Sequence, residues 1–411
     1  MKFSRKIAPE INLKQNFITK KRLREDEINF EKLRSYRLDR VKKELKKNNL
    51  EACILFDPVN VRYALDSVNM SVYNMHNLTR YCFVPVNGPV ILYEYFNCEN
   101  LSSHLNLIDE IRPAITWDYF SNGDQASLEL KKWINEVLDL SKKYFKSKKI
   151  AIDVLNGPAV TDLNKNGIEV VDAKSILEQA RVIKSPDELI CMKAAIDVAE
   201  IGISKMRSEL RPGMTEDELW SILHKTNIEH GGEWIECRIL SSGQRTNPWM
   251  QESSNKVIQY GEMVGFDTDM VGPYGYCADI SRSFVVDNKF NEEQKKLYSM
   301  AIEQIDYNSK LIKNGMAFEE FVEKSWVLPQ EYYPNRYSVM VHGIGLCDEW
   351  PAIRYPDDGG ERTGVFKKNM TITVESYIGK VKGKEGVKLE QQYLVGENGL
   401  ELMSHHPLED I

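Results

Sequence analysis

Histidine is scarce in this chain, with seven among 411 residues, so chemistry that needs several imidazoles in one place has few sources. Cysteine is equally thin. Cys53, Cys82, Cys98, Cys191, Cys237, Cys277 and Cys347 are odd in number, scattered and without a Cys-x-x-Cys pair. That argues against a disulfide framework and for a reducing cytoplasm. No uninterrupted apolar run reaches the ~18 residues of a membrane-spanning helix. The basic start, MKFSRKIAPEINLKQNF, lacks the apolar centre of a signal peptide. Internal repeats and low-complexity segments are missing, and the first half holds no Gly-rich loop to cradle a phosphate.

What is present is a soluble composition, 42% hydrophobic and 28% charged, in a chain long enough for two domains. Residues 1–50 carry 16 Lys and Arg against 7 Asp and Glu, within a net charge of −7. Those charges share a helical stretch with apolar Phe30, Leu33, Val41 and Leu45. They read as a solvated face rather than a nucleic-acid surface. Neither nucleic acid nor membrane is expected as a partner.

Residues 1–25 read as an arm, 27–49 as an amphipathic helix, and 52–56 as a strand. Asn87-Gly88 marks a hairpin within Arg80–Tyr95. Strands near 111–117, 149–154 and 168–171 alternate with helices at 126–144 and 174–181, a mixed α/β pattern. Ser185-Pro186-Asp187-Glu188 and Thr215-Glu216-Asp217-Glu218 are two helix-start signatures. The division expected is therefore 1–182 and 183–411. The second part continues with strands at 234–240, 337–342, 370–379 and 387–395, and with helices near 291–313 and 318–327.

Two hairpins in that part hold opposed acids. In VGFDTDMVGPYGYCADISRSF, folding about Tyr274 sets Asp269 opposite Asp279, with Asp267 one step away on the same face. Opposed β-carbons lie only about 5 Å apart, and like charges there destabilise the pair. A divalent cation removes the repulsion; a solvated hairpin face is the alternative. In MTITVESYIGKVKGKEGVKLEQQYLV, folding between Lys382 and Gly383 sets Glu375 against Glu390. His342 ends an apolar strand before Gly343-Ile344-Gly345. It is either a satisfied core residue or the nitrogen ligand of a carboxylate-rich two-metal site.

Two Asp on a hairpin, a His before Gly-x-Gly, then two Glu on C-terminal strands resembles the ligand order of the pita-bread superfamily of methionine aminopeptidases, prolidases, aminopeptidase P and creatinase. The resemblance implies an α/β (α+β) fold, with a creatinase-like mixed α/β N-terminal domain and a pita-bread C-terminal domain. The departures matter as much. Peptidases of this type keep histidines where this chain has Pro248-Trp249-Met250, Ser338 and Glu349. Those histidines bind the scissile amide and shuttle protons, so their loss argues against peptide hydrolysis.

The wording FDTDMVGPYGYCADISRSF, HGIGLCDEWP and TNPWMQES resembles a narrower group, the DddP-type dimethylsulfoniopropionate lyases. That resemblance implies β-elimination of dimethylsulfoniopropionate to dimethyl sulfide and acrylate in a cytoplasmic homodimer. It implies two divalent transition-metal ions, iron foremost, with manganese, cobalt or zinc also compatible with the ligands. The implied metal ligands are Asp267, Asp269, Asp279, His342, Glu375 and Glu390. Asp348 is implied as general base, in a dry surrounding, and Tyr337 as an active-site tyrosine. Read from the residues alone, Asp348 is first a turn-forming acid before Glu349-Trp350-Pro351, and a base only by the resemblance. Trp249 and Tyr337 are the aromatic faces chosen for a sulfonium, with His342 also facing substrate. Residues 69–76 either cap a site or form a plain loop. Two other functions stay open: an Xaa-Pro dipeptidase or aminopeptidase P-like hydrolase, and a non-catalytic pita-bread binding protein.

Overall fold

Local signals in the sequence set most of the elements. In a computed structural model, residues 20–411 are described. The basic first segment, MKFSRKIAPEINLKQNF, lies outside them. Two units separate: Asn29–Arg181, and Arg22–Ile28 together with Val182–Ile411. The short piece Arg22–Ile28 belongs with the second unit, which a single cut at 182/183 does not anticipate.

The first unit runs α1 (Phe30–Lys47), β1 (Ala52–Leu55), α2 (Pro58–Leu65), α3 (Ser71–His76), β2 (Tyr81–Pro85), β3 (Ile91–Glu94) and β4 (Glu110–Pro113). It continues through α4 (Tyr119–Asn122), α5 (Ala126–Tyr144), β5 (Lys149–Ile152), α6 (Gly157–Lys165), β6 (Glu169–Asp172) and α7 (Lys174–Arg181). One sheet in the order β4-β3-β2-β1-β5-β6 mixes antiparallel and parallel pairs. The rings of Phe56, Tyr81, Trp117 and Trp133 pack tilted and edge-on in its core. Residues 71–76 are helical rather than a plain loop. The helices α2 and α6 begin at Asp57-Pro58 and Asn156-Gly157-Pro158, with the Asp and Asn side chains capping the first turn.

The second unit opens with α8 (Pro186–Glu209) and α9 (Glu216–Glu229), each started by a reciprocal capping box at Ser185 or Thr215. Then come β7 (Leu240–Ser242), β8 (Met263–Phe266), β9 (Met270–Val271), β10 (Cys277–Ala278) and β11 (Arg282–Val285). The helices α10 (Glu292–Leu311) and α11 (Phe318–Lys324) follow. The chain ends in β12 (Val339–Ile344), β13 (Asp348–Arg354), β14 (Thr371–Ile378), β15 (Val387–Val395) and β16 (Leu400–Leu402). Three sheets result: β11-β8-β7, β10-β9, and β13-β12-β14-β15-β16.

Two expectations are corrected here. The segment 234–240 touches its neighbours through isolated bridges at Ile235 and Ile239, and only Leu240 enters a strand. Asp348 opens a seven-residue strand instead of a turn. Pro351 argues against a strand in sequence, yet β13 lies at the sheet edge, where a missing N–H costs little.

The five-stranded sheet is held over a core of Met263, Leu297, Ile305, Phe321, Met340, Val374 and Leu389. The Asp-bearing strands join it through β15. Glu390 N donates to Ser281 O, and Ser283 Oγ donates to Lys388 O while accepting from Lys388 N. That seam brings the two acid-bearing hairpins together.

Candidate metal centre

Strand register places each acid. β8 and β11 pair Phe266 with Arg282, and β9 and β10 pair Met270 with Ala278, so both ladders fold about Tyr274. Asp267 and Asp269 lie in the link between β8 and β9, and Asp279 in the link between β10 and β11. The continued register sets Asp269 against Asp279, as the sequence predicts. Tyr274 and Gly275 make the turn with φ 64° and 76°, and Asp269 itself sits at φ 33°. Asp tolerates this left-handed region better than most residues, and such backbone recurs at functional sites. The hairpin is also pressed onto α8. A β-carbon at Gly272 would lie 2.8 Å from Ala195 Cβ. Tyr276 Oη donates to Glu188 Oε1, and Glu188 Oε2 accepts from Ser185 N.

On the second face, β14 and β15 pair Glu375 directly with Glu390, and β12 pairs His342 with Thr373. The period of two puts His342, Glu375, Lys388 and Glu390 on one side of the sheet. His342 Nδ1 lies 3.0 Å from Gly343 O. Donation there leaves the Nε2 lone pair facing outward. Nε2 is 3.3 Å from Glu390 Oε1, 3.4 Å from Asp279 Oδ2 and 3.7 Å from Glu375 Oε1.

Among the described residues, two groups of side chains converge closely enough to share a metal ion: Asp279, His342 and Glu390, and Asp267, Asp269 and Asp279. Asp279 belongs to both. Asp279 Oδ1, Glu375 Oε1 and Glu390 Oε1 are buried without a hydrogen-bond donor. Orphaned buried oxygens are costly, so a cation fits them well. All-oxygen ligands with one imidazole suit hard or borderline divalent ions.

The electrostatics agree. Burial, reinforced by neighbouring carboxylates, pushes the Asp279 and Asp269 carboxyls well above their usual range. Burial also raises Glu375 to about 8, against the pull of Lys388. Burial alone would raise Glu390 too, but Lys388 and His342 hold it below the usual range. Burial lowers His342, and Asp348, Asp279 and Glu390 outweigh it and carry the imidazole upward.

The remaining residues expected from sequence surround this cluster. Asp348 Oδ1 is 3.7 Å from His342 Nδ1, and its side chain is 61% exposed. The expected dry surrounding is not met, because Asp348 starts the edge strand at the rim. Trp249 and Tyr337 turn their rings towards one point, 5.5 and 5.4 Å from Lys388 Nζ. Glu375 and then burial raise the Tyr337 phenol, which keeps it protonated.

Lys388 itself is the residue that sequence reading missed. Its ammonium is fully buried, 3.2 Å from Asp267 Oδ2, 2.9 Å from Glu375 Oε2 and 3.0 Å from Glu390 Oε2. It also donates to Ser281 Oγ at 2.8 Å. The signal was the strand period, which puts Lys388 two residues before Glu390. Cys237 was missed as well; its thiol donates to Asp269 Oδ2 at 2.7 Å. Glu349, one of the positions where peptidases keep a histidine, is locked to Lys184 Nζ at 2.6 Å and accepts from Leu346 N.

Residues 190–397 match the model of metallopeptidase family M24. The chain is 34% identical over 389 residues to the dimethylsulfoniopropionate lyase DddP of Roseovarius nubinhibens, covering 92% of this chain and 87% of that relative. Against the dimethylsulfoniopropionate lyase DddP of Roseobacter denitrificans it is 36% identical over 366 residues, covering 87% and 82%. An Xaa-Pro dipeptidase of Pyrococcus furiosus is 28% identical over 230 residues, 54% of this chain. Among solved structures, an Xaa-Pro dipeptidase from Bacillus anthracis superposes with a TM-score of 0.75 over 92% of this chain and 99% of its own, at 21% identity. That likeness concerns the two-domain fold alone.

Proposed function

Because the chain belongs to metallopeptidase family M24 and, within it, to the DddP dimethylsulfoniopropionate lyases, we propose that it is a carbon–sulfur lyase. It eliminates dimethyl sulfide from dimethylsulfoniopropionate and leaves acrylate. Asp267, Asp269, Asp279, His342, Glu375 and Glu390 would hold two divalent ions, iron foremost. Such ions supply Lewis acidity that stabilises charge developing on a substrate carboxylate.

The chain's own residues account for the rest. Asp348 at the rim takes the proton from the carbon next to the carboxylate. The freed electron pair forms the carbon–carbon double bond, and the β-carbon–sulfur bond breaks with its pair going to sulfur. The sulfonium leaves as neutral dimethyl sulfide, so no proton has to be delivered to a leaving group. Bound substrate would cover Asp348 and provide the dry surrounding that the rim itself lacks. Trp249 and Tyr337 stand beside the cluster and are the aromatic residues assigned to the sulfonium. The protonated Tyr337 phenol is available as a donor.

The observation that carries this reading over a peptidase is at Glu349. A carboxylate tied to Lys184 stands where a proton-shuttling imidazole would be needed. The same reading includes a cytoplasmic homodimer and the division at 182/183. Apolar side chains left exposed on the first unit, among them Met70, Val72, Phe96, Tyr119 and Phe120, support the dimer. The test is headspace detection of dimethyl sulfide above purified, metal-reconstituted protein supplied with dimethylsulfoniopropionate. Release of the sulfide is expected. Its absence, with hydrolysis of an Xaa-Pro dipeptide instead, would overturn the proposal in favour of the peptidase.

A further inference from the structure

The segment that carries Trp249 is tied down at both ends and in the middle. Glu216, fully buried at the start of α9, accepts from Ser242 N and from Ser254 N, which bracket the segment. Its centre is held by one side chain, Asn247. Asn247 Nδ2 donates to Lys380 O at 2.9 Å and to Gly383 O at 3.0 Å, in the turn between β14 and β15. Asn247 Oδ1 accepts from Asn335 Nδ2 and lies 3.0 Å from Tyr377 Oη, which is also 3.0 Å from Thr246 O. Two donors and two lone pairs are the whole capacity of an amide, so this side chain is fully used. The turn is shaped around the same knot, since a β-carbon at Gly379 or Gly386 would collide with Tyr377 Oη. Trp249, two residues on from Asn247, packs its ring on Tyr377 with centroids 6.1 Å apart. Tyr337, two residues on from Asn335, packs against the same small apolar cluster.

We propose that Asn247 is a positioning residue that sets the spacing of the Trp249 and Tyr337 rings, and with it the fit of the sulfonium end of the substrate. This rests on the lyase reading above. The two rings stand on stretches of chain 88 residues apart, and the bond between Asn335 and Asn247 joins those stretches. An onium ion is attracted when it lies within about 6 Å of a ring centre, so a small shift of either ring loosens its hold. None of the four residues bonded to the Asn247 amide is a proposed metal ligand. The carboxylate end of the substrate therefore lies outside its influence. A merely structural asparagine would change how much of the protein folds and leave the KM of the folded part alone.

The test follows dimethyl sulfide release by the full, metal-reconstituted chain, with acrylate as a competitive inhibitor and metal content read by atomic absorption. Asn247→Ala should raise KM for dimethylsulfoniopropionate by about three- to ten-fold, within the span of one onium–aromatic contact. Acrylate has the carboxylate and lacks the sulfonium. Its inhibition constant, and kcat per metal-loaded site, should stay within about two-fold of wild type. Tyr377→Phe keeps the ring under Trp249 and removes the hydroxyl. It should raise KM in the same direction, and it decides the matter should Asn247→Ala not fold. In a Trp249→Leu background, Asn247→Ala should add less than it does alone, because the ring it places is gone. An unmoved KM would overturn the inference, as would a KM and an acrylate constant that rise together, or full additivity with Trp249→Leu. A wild type that releases no sulfide would defeat the lyase reading itself, a result distinct from active variants with an unmoved KM.

Discussion

Lowering the pH should strip this protein of metal over a range where ordinary carboxylates stay ionised. Glu375 is raised from 4.5 to about 8 by burial, and burial with neighbouring carboxylates raises Asp279 and Asp269 well above their usual range. At neutral pH the metal-free site therefore holds at least one proton that an entering ion must displace. One displaced proton means about ten-fold weaker binding per pH unit below about 8. Between pH 8 and pH 6 the loss is about a hundred-fold, or about 2.7 kcal/mol. Calorimetric titration with Mn²⁺ in two buffers of different ionisation enthalpy measures the protons released, and at least one is expected at pH 7. The folding equilibrium gives an independent check of sign. A carboxyl raised in the folded state contributes stability that is complete below its unfolded value and is lost as pH rises through the folded one. His342, also raised, acts in the same direction. The metal-free protein should therefore unfold at lower temperature at pH 8.5 than at pH 6, and added metal should help most at the higher pH. An affinity that is flat between pH 6 and pH 8, with no proton release, would refute the reasoning.

Further outcomes follow from single side chains. Asp348→Asn should lower kcat by roughly 10²–10⁴-fold while the metal content, measured by atomic absorption, stays at wild type. Glu375→Ala should lose metal, and a full complement in that variant would remove Glu375 from the ligand set. Trp249→Leu should raise KM for a sulfonium substrate by a factor matching about 0.5–2 kcal/mol, with a smaller effect on kcat. Arg282 is fully buried and donates to Ser281 O, Glu390 O, Gln391 Oε1 and His406 O. Arg282→Met should cost about 3–5 kcal/mol in urea unfolding, because those acceptors lose their donor.

The opposition of the acids was legible because two simple rules act on it. A strand alternates faces, and a tight turn fixes the register of its hairpin, so Tyr274 and the Lys382–Gly383 midpoint were enough to oppose the acids. The same alternation pointed to Lys388, but a charged strand residue is ordinarily read as solvent-facing, and only the seam between Ser281 and β15 shows it buried. Local caps announced α8 and α9. Equally clear caps at Asp57 and Asn156 went unread because the helices behind them are short. Pro351 hid β13 by looking like a breaker. The pairing of Lys184 with Glu349 spans 165 residues, and no local pattern carries that information. The exposure of Asp348 could not be seen either, since it depends on which strand ends the sheet.

The way the Asp hairpin meets α8 has a practical consequence. Ser185, Glu188 and Tyr276 form one chain of hydrogen bonds from the helix start to the Asp-bearing turn, and Gly272 lies too close to Ala195 for any side chain. The three Asp residues are thus indexed to a helix end more than 80 residues upstream, and not only to their own ladder. Anyone trimming or transplanting this centre must carry Ser185 and Glu188 with it. A graft that copies the six proposed ligands and omits that helix start would deliver the right side chains on a hairpin free to slide.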